Sequence, residues 1–175
     1  MKIESSLVKK VAVTDIKNPD PISIYLEDYA QGQGKLIITC YDKSWTYYWG
    51  AMGSQNLAQF VATCDNHYLA KKLDPNTKSN IYDEDAMEKY AKEHIIDLRK
   101  HDDISKEDAR KLYDECYRLS SEYDLKNIDS NDYADLMYEI FGDEWYDCLP
   151  TKPNPDYQYL CRILDVVREV LKENK

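Results

Sequence analysis

The stretch Lys35-Leu-Ile-Ile-Thr-Cys-Tyr-Asp-Lys-Ser-Trp-Thr-Tyr-Tyr-Trp-Gly50 decides the fold. β-Branched and aromatic residues fill it, as they fill pleated, half-buried strands. Trp45, Tyr47 and Trp49 fall on alternate positions and so share one sheet face. Asp42-Lys43-Ser44 interrupts the run as a bulge or a tight turn. Upstream, Gln31-Gly32-Gln33-Gly34 supplies residues that tolerate positive φ. Before it, Ile22-Ser-Ile-Tyr-Leu26 alternates with period two. Pro19 and Pro21 separate that run from the segment Ile3 to Ile16, which holds Leu7-Val8 and Val11-Ala12-Val13. Together these runs predict an antiparallel meander of three to four strands.

The period changes after Gly50-Ala51-Met52-Gly53. Ser54 is placed to cap a helix through Leu57, Phe60, Val61 and Cys64, and a shorter turn carries Tyr68, Leu69 and Leu73. Further on, Met87, Ala91, His94, Leu98 and His101 form one helical stripe beginning near Asp83. Ser105 and Asp108 open a helix with Ala109, Leu112, Cys116 and Leu119. Ser130 caps another, through Leu136, Met137, Ile140 and Phe141, which Gly142 stops. The last helix runs from about Asp156 to Glu173 with a wide apolar stripe. The fold class is therefore α+β, an N-terminal meander packed against helices and followed by an all-helical C-terminal half. Residues 1–80 hold the sheet and short helices, and residues 81–175 an acidic helical region forming one compact unit with the sheet. The first and last helices are expected to cover the sheet's apolar face.

The chain has 175 residues, 33 acidic and 23 basic, for a formal net charge of -10. That balance argues against direct contact with nucleic acid or an anionic membrane. No apolar run reaches the length of a membrane span, and Met1 to Val13 lacks the apolar core of a signal peptide. The cysteines at 40, 64, 116, 148 and 161 are odd in number, and no two stand at C-x-x-C spacing. A reduced, cytoplasmic protein is expected.

Residues 83–147 contain 21 acidic and 9 basic residues, so the excess negative charge belongs to the helical middle. Acids in first helical turns are favoured by the macrodipole, and neighbours three or four residues away can neutralise others. The sharper reading is a surface resembling the phosphates of DNA, offered to a partner protein with a basic groove, with tyrosines as anchors. Its candidate residues are Asp102, Asp103, Glu107, Asp108, Asp114, Glu115, Asp132, Asp135 and Glu139, with Tyr113 and Tyr117. His94, Asp97 and His101 share a helix face and are the nearest approach to a metal-dependent or acid–base centre. Cys64 and His67 stand close in sequence but without the separation usual for a Cys–His pair. Gly50 to Ser54 precedes a helix, where amides can hold an anion. No P-loop, G-x-G-x-x-G or G-x-S-x-G is present. No catalytic residue, metal or cofactor is assigned. The aromatic strand face or its edge offers a further reading, a structural or homodimer-forming module.

Leu36 to Gly53, with Leu57, Phe60 and Val61 after it, resembles small accessory proteins of tailed phages and prophages of enteric bacteria. The likeness covers roughly residues 1–75 and carries no catalytic residues over. It implies a phage gene product acting in the host cytoplasm. By analogy with small acidic phage proteins, it implies an inhibitor of a host nuclease or defence complex.

Overall fold

The computed structural model describes residues 3, 8–15, 20–119, 131–147 and 149–173, apart from the side chains of 131 and 132. Leu7, Ile16, Pro19, Tyr123, Ser130 and Cys148 lie outside these residues. The described chain divides into two compact units, residues 1–79 with 153–175, and residues 80–152.

The first unit is built on a four-stranded antiparallel sheet in the order β1 (Lys9–Val13), β2 (Ile22–Ala30), β3 (Gln33–Cys40), β4 (Lys43–Trp49). The pairs Val11↔Ile24, Ile24↔Ile38 and Ile38↔Trp45 run across all four strands, so one face collects Ile22, Ile24, Leu26, Leu36, Ile38, Trp45 and Trp49. Gln31-Gly32 joins β2 to β3, with Ala30 opposite Gln33. The interruption in the aromatic run is a tight turn at Tyr41-Asp42, with Cys40 opposite Lys43. Tyr41 takes a positive φ there, and Lys43 and Ser44 already belong to β4.

Three helices cover that face: α1 (Leu57–Thr63), α2 (Asn66–Leu73) and α6 (Pro155–Glu173). At 1.5 Å per residue, α6 is about 28 Å long, and it buries Leu160, Ile163, Leu164, Val167 and Leu171. Ser54 is not the cap of α1. Asn56 accepts from the Gln59 N–H at 2.8 Å, and Gln59 Oε1 accepts in return from the Asn56 N–H at 3.2 Å. This reciprocal box satisfies two free amides at once, which Ser54 cannot do from its place in the preceding turn. Cys40 and Cys116 are buried, while Cys64 and Cys161 are half-buried, all as free thiols.

The second unit holds β5 (Asn80–Tyr82), paired with β6 (Thr151–Pro153), and three helices, α3 (Met87–Lys100), α4 (Lys106–Glu115) and α5 (Asn131–Phe141). Its core joins Met87, Ala91 and Ile95 of α3, Ala109 and Leu112 of α4, and Leu136, Met137 and Ile140 of α5, with Cys116 and Leu119 from the 3₁₀ turn after α4. The stripe on α3 is rotated from the expected one. Ile95 is in the core, whereas His94 is half-buried and His101 exposed. Positions 87, 91 and 95, each four residues on from the last, keep the buried line on a 3.6-residue helix.

Candidate functional site

The predicted partner-binding residues begin where α3 ends. Asp102 has φ +59°, its N–H donates to Arg99 O at 3.3 Å, and the Asp103 N–H donates to Leu98 O at 3.0 Å. This is a Schellman end with aspartate at the left-handed position glycine usually holds, and the Asp102 carboxylate also accepts from Arg99. Asp102 thus has a local structural task. Ser105 caps α4: its Oγ accepts from the Asp108 N–H at 3.1 Å and donates to Asp108 Oδ2 at 2.6 Å. The Asp108 carboxylate is turned back on the cap. Asp103 and Glu107 are exposed, with no cationic partner among the described residues.

Farther along α4, Glu115 is half-buried and accepts from Arg118 at 3.4 Å. Tyr113 lies under Lys92, whose Nζ is 5.0 Å from its ring centroid. Asp114 is exposed beside Tyr113, and Tyr117 is exposed in the turn that follows. On α5, Asp135 and Glu139 are exposed, with no cationic partner among the described residues, and flank exposed Tyr138. The Asp132 side chain is not described. Other acids of this unit are neutralised by near neighbours: Asp83 and Asp85 by Lys152, Glu88 by Lys92, Glu93 by Lys89, Asp97 by Lys100. The negative charge therefore separates into carboxylates absorbed by local pairs and a smaller unmatched set, Asp103, Glu107, Asp114, Asp135 and Glu139 among the predicted residues. Sequence spacing alone does not reveal that division, because each i,i+3 or i,i+4 neighbour had several acids within reach.

The remaining candidates find local employment. Asp97 accepts from Lys100 at 2.8 Å, a bond that holds its carboxyl below the usual range. The His101 Nδ1–H donates to Asp97 O at 2.8 Å, and the His94 ring stacks on Phe141 with centroids 4.8 Å apart. Among the described residues, no three His, Cys, Asp or Glu side chains gather as a metal site. His67 Nδ1 lies 3.1 Å from the Tyr157 hydroxyl, and burial pushes the Cys64 thiol up, against nucleophilic use. At the start of α1, the Leu57 N–H donates to Asp28 Oδ1 at 2.8 Å, so a carboxylate of β2 holds the position an anion would take. Trp45 and Trp49 are buried under the helices, with Trp49 Nε1–H donating to the Tyr68 hydroxyl at 3.0 Å. That aromatic face is core and is closed to bases or to a second chain.

No helix among the described residues is long and apolar enough to cross a membrane. A family model described as a phage family matches residues 1–173 of the chain, well beyond the N-terminal segment that carried the resemblance. No curated protein and no solved structure matches it.

Proposed function

The chain belongs to that phage family, Phage_phiTE_072, and we propose that it is an accessory protein that binds and inhibits a host nucleic-acid-binding or defence protein having a basic groove. Tailed phages of enteric bacteria are the expected source, and the host cytoplasm the expected place of action. The observation that carries the reading is the unmatched set of exposed carboxylates, Asp103 and Glu107 before and within α4, Asp114 farther along it, and Asp135 and Glu139 on α5, with Tyr117 and Tyr138 also exposed. Residues 80–152 hold 21 acidic and 10 basic residues, and unmatched acids add self-repulsion to the folded state. A cationic partner surface relieves that repulsion, speeds encounter, and leaves the tyrosines to supply contact area. Asp102, Asp108 and Glu115 serve chiefly to end α3, cap α4 and pair Arg118.

The test is affinity capture from host extract at low and high salt, with the intact chain and with the variant Asp103→Lys, Glu107→Lys, Asp135→Lys, Glu139→Lys. The reading expects a specific partner that is released by salt and never captured by the variant, whose circular dichroism is unchanged. A partner held equally by both proteins, or indifferent to salt, overturns it.

A further inference from the structure

The start of β4, the end of α2 and the start of α6 enclose a cavity of about 320 Å³ in the first unit, at the small end of the range for small-molecule sites. Leu160 and the Trp45 indole line it from the core side. The indole is only 8% exposed. Its Nε1–H makes no hydrogen bond among the described residues, yet it is not sealed from solvent, so a donor on a buried side chain opens onto this cavity. The Trp49 indole, by contrast, is bonded to Tyr68. Tyr159 makes a fixed wall: its hydroxyl donates to Asp20 Oδ2 at 2.9 Å and lies 3.2 Å from Cys40 Sγ, and Lys43 Nζ overlies its ring at 5.9 Å. Thr77 Oγ1 donates to Asp74 Oδ2 at 2.7 Å, which leaves Oδ1 without a partner among the described residues. Lys43 Nζ stands 3.8 Å from Asp156 Oδ1, with the two side chains 57% and 78% exposed, a long, wet pair of the kind that contributes little.

We propose that this cavity binds a free α-amino acid with a short side chain, its carboxylate held by Lys43 and the Trp45 N–H and its ammonium by Asp156 and Asp74. The charges select a zwitterion. One lysine faces two aspartates, so a phosphate or a simple carboxylate meets net repulsion. A bare amine satisfies the aspartates but leaves the indole N–H without an acceptor. A zwitterion brings one group for each set: it opens the long Lys43–Asp156 pair and gives each member a nearer, hydrogen-bonded partner. The Tyr159 ring, which already lies under an ammonium, favours a second cation beside it. Tyr159 and Asp74 are held by their own hydrogen bonds, so little ordering is lost on binding. The small volume and the apolar base of Leu160 and Trp45 limit the ligand to a short side chain. None of these residues belongs to the proposed host-binding surface, so either reading can fail alone.

The test is proton–nitrogen correlation NMR of the full chain, whose three indole N–H signals belong to Trp45, Trp49 and Trp145. Trp45→Phe assigns the first. Glycine, alanine, serine and valine are titrated one by one to about 10 mM, with acetate and methylammonium as the two half-ligands. At least one amino acid moves the Trp45 signal saturably while those of Trp49 and Trp145 stay, and each half-ligand binds about tenfold more weakly or worse. Lys43→Met and Asp156→Asn, both at exposed positions, leave circular dichroism unchanged. Each raises the dissociation constant about tenfold or more, as for loss of a hydrogen bond to a charged group. A Trp45 signal that no amino acid moves, that acetate or methylammonium moves as readily, or whose response survives both substitutions overturns the inference.

Discussion

Gly32 closes the β2–β3 turn at φ +72°, and a Cβ placed on it would lie 2.4 Å from the carbonyl oxygen of Gly53. That oxygen belongs to the turn before α1, which is tied to the hairpin by the Met52 N–H donating to Gly32 O at 2.8 Å. Gly53 has almost the same backbone, φ +67°, but nothing lies within 4 Å of its Cβ position. Alanine at each position separates two effects. At both, a left-handed backbone costs about 1–2 kcal/mol. At Gly32 alone the side chain meets fixed backbone, and relieving that contact resembles overpacking, about 1–3 kcal/mol more. Gly32→Ala is expected to lose about 2–5 kcal/mol and Gly53→Ala about 1–2 kcal/mol, against a total stability of about 5–15 kcal/mol. Urea unfolding followed by tryptophan fluorescence measures both, since Trp45 and Trp49 sit in the core of this unit. Equal losses would refute the claim that the hairpin and the pre-helix turn are packed backbone to backbone.

Asn56→Ala should cost about 1 kcal/mol in the same assay and Ser54→Ala less than about 0.5 kcal/mol; the reverse order would reinstate Ser54 as the cap. Asp102→Gly should stabilise the protein by about 0.5–1 kcal/mol, because glycine relieves the left-handed strain at the end of α3, and should leave partner capture intact. A lower melting temperature would mean that the Arg99 pair outweighs the strain. Burial, with help from Glu88 and Glu115 and against Lys92, pushes the Cys116 thiol up to about 11. Burial and Glu84 push Tyr133, whose buried hydroxyl has no hydrogen-bond partner among the described residues, up to about 12. Both folded values exceed the unfolded ones, so this stability is complete below about pH 9 and is lost as pH rises through about 11 and 12. Cys116 alone accounts for about 2–3 kcal/mol at 1.36 kcal/mol per unit. Circular dichroism melts from pH 8 to 12 should show that fall, largely relieved for Cys116 by Cys116→Ala; a flat profile contradicts it.

The strands were legible because Ile22, Ile24 and Leu26, and then Trp45, Tyr47 and Trp49, fall on alternate positions, and period-two spacing leaves little choice of face. The cover by α1 and α6 was legible because each carries an apolar stripe and the sheet's apolar face needs one to bury it. Helix rotation was less so. His94 and Ile95 are adjacent on α3, and only the packing of Met137 and Leu112 within the same core explains why Ile95 faces inward. The position of the turn at Tyr41-Asp42 was blurred because Tyr41 adopts a left-handed backbone that its residue type does not signal. In the candidate site, Ser105 and Asp108 were readable as a cap. The dual role of Asp102 was not, since an aspartate in place of a C-terminal glycine looks like any other acid. Which carboxylates remain unmatched depends on whether a lysine or arginine one turn away chooses one acid or the next, a matter of about 0.2–0.5 kcal/mol per pair.

The central claim is that the location of the unmatched acids, not total charge, makes the binding surface. The most direct test compares two variants of equal charge loss: Asp103→Asn, Glu107→Gln, Asp135→Asn, Glu139→Gln against Asp42→Asn, Asp97→Asn, Asp102→Asn, Asp156→Asn. Their affinities for the captured partner are measured at one ionic strength. The account predicts that the first set weakens binding by about a hundredfold, roughly 0.7 kcal/mol per lost contact, while the second stays within about threefold of the unaltered chain. Equal weakening by the two sets would contradict it.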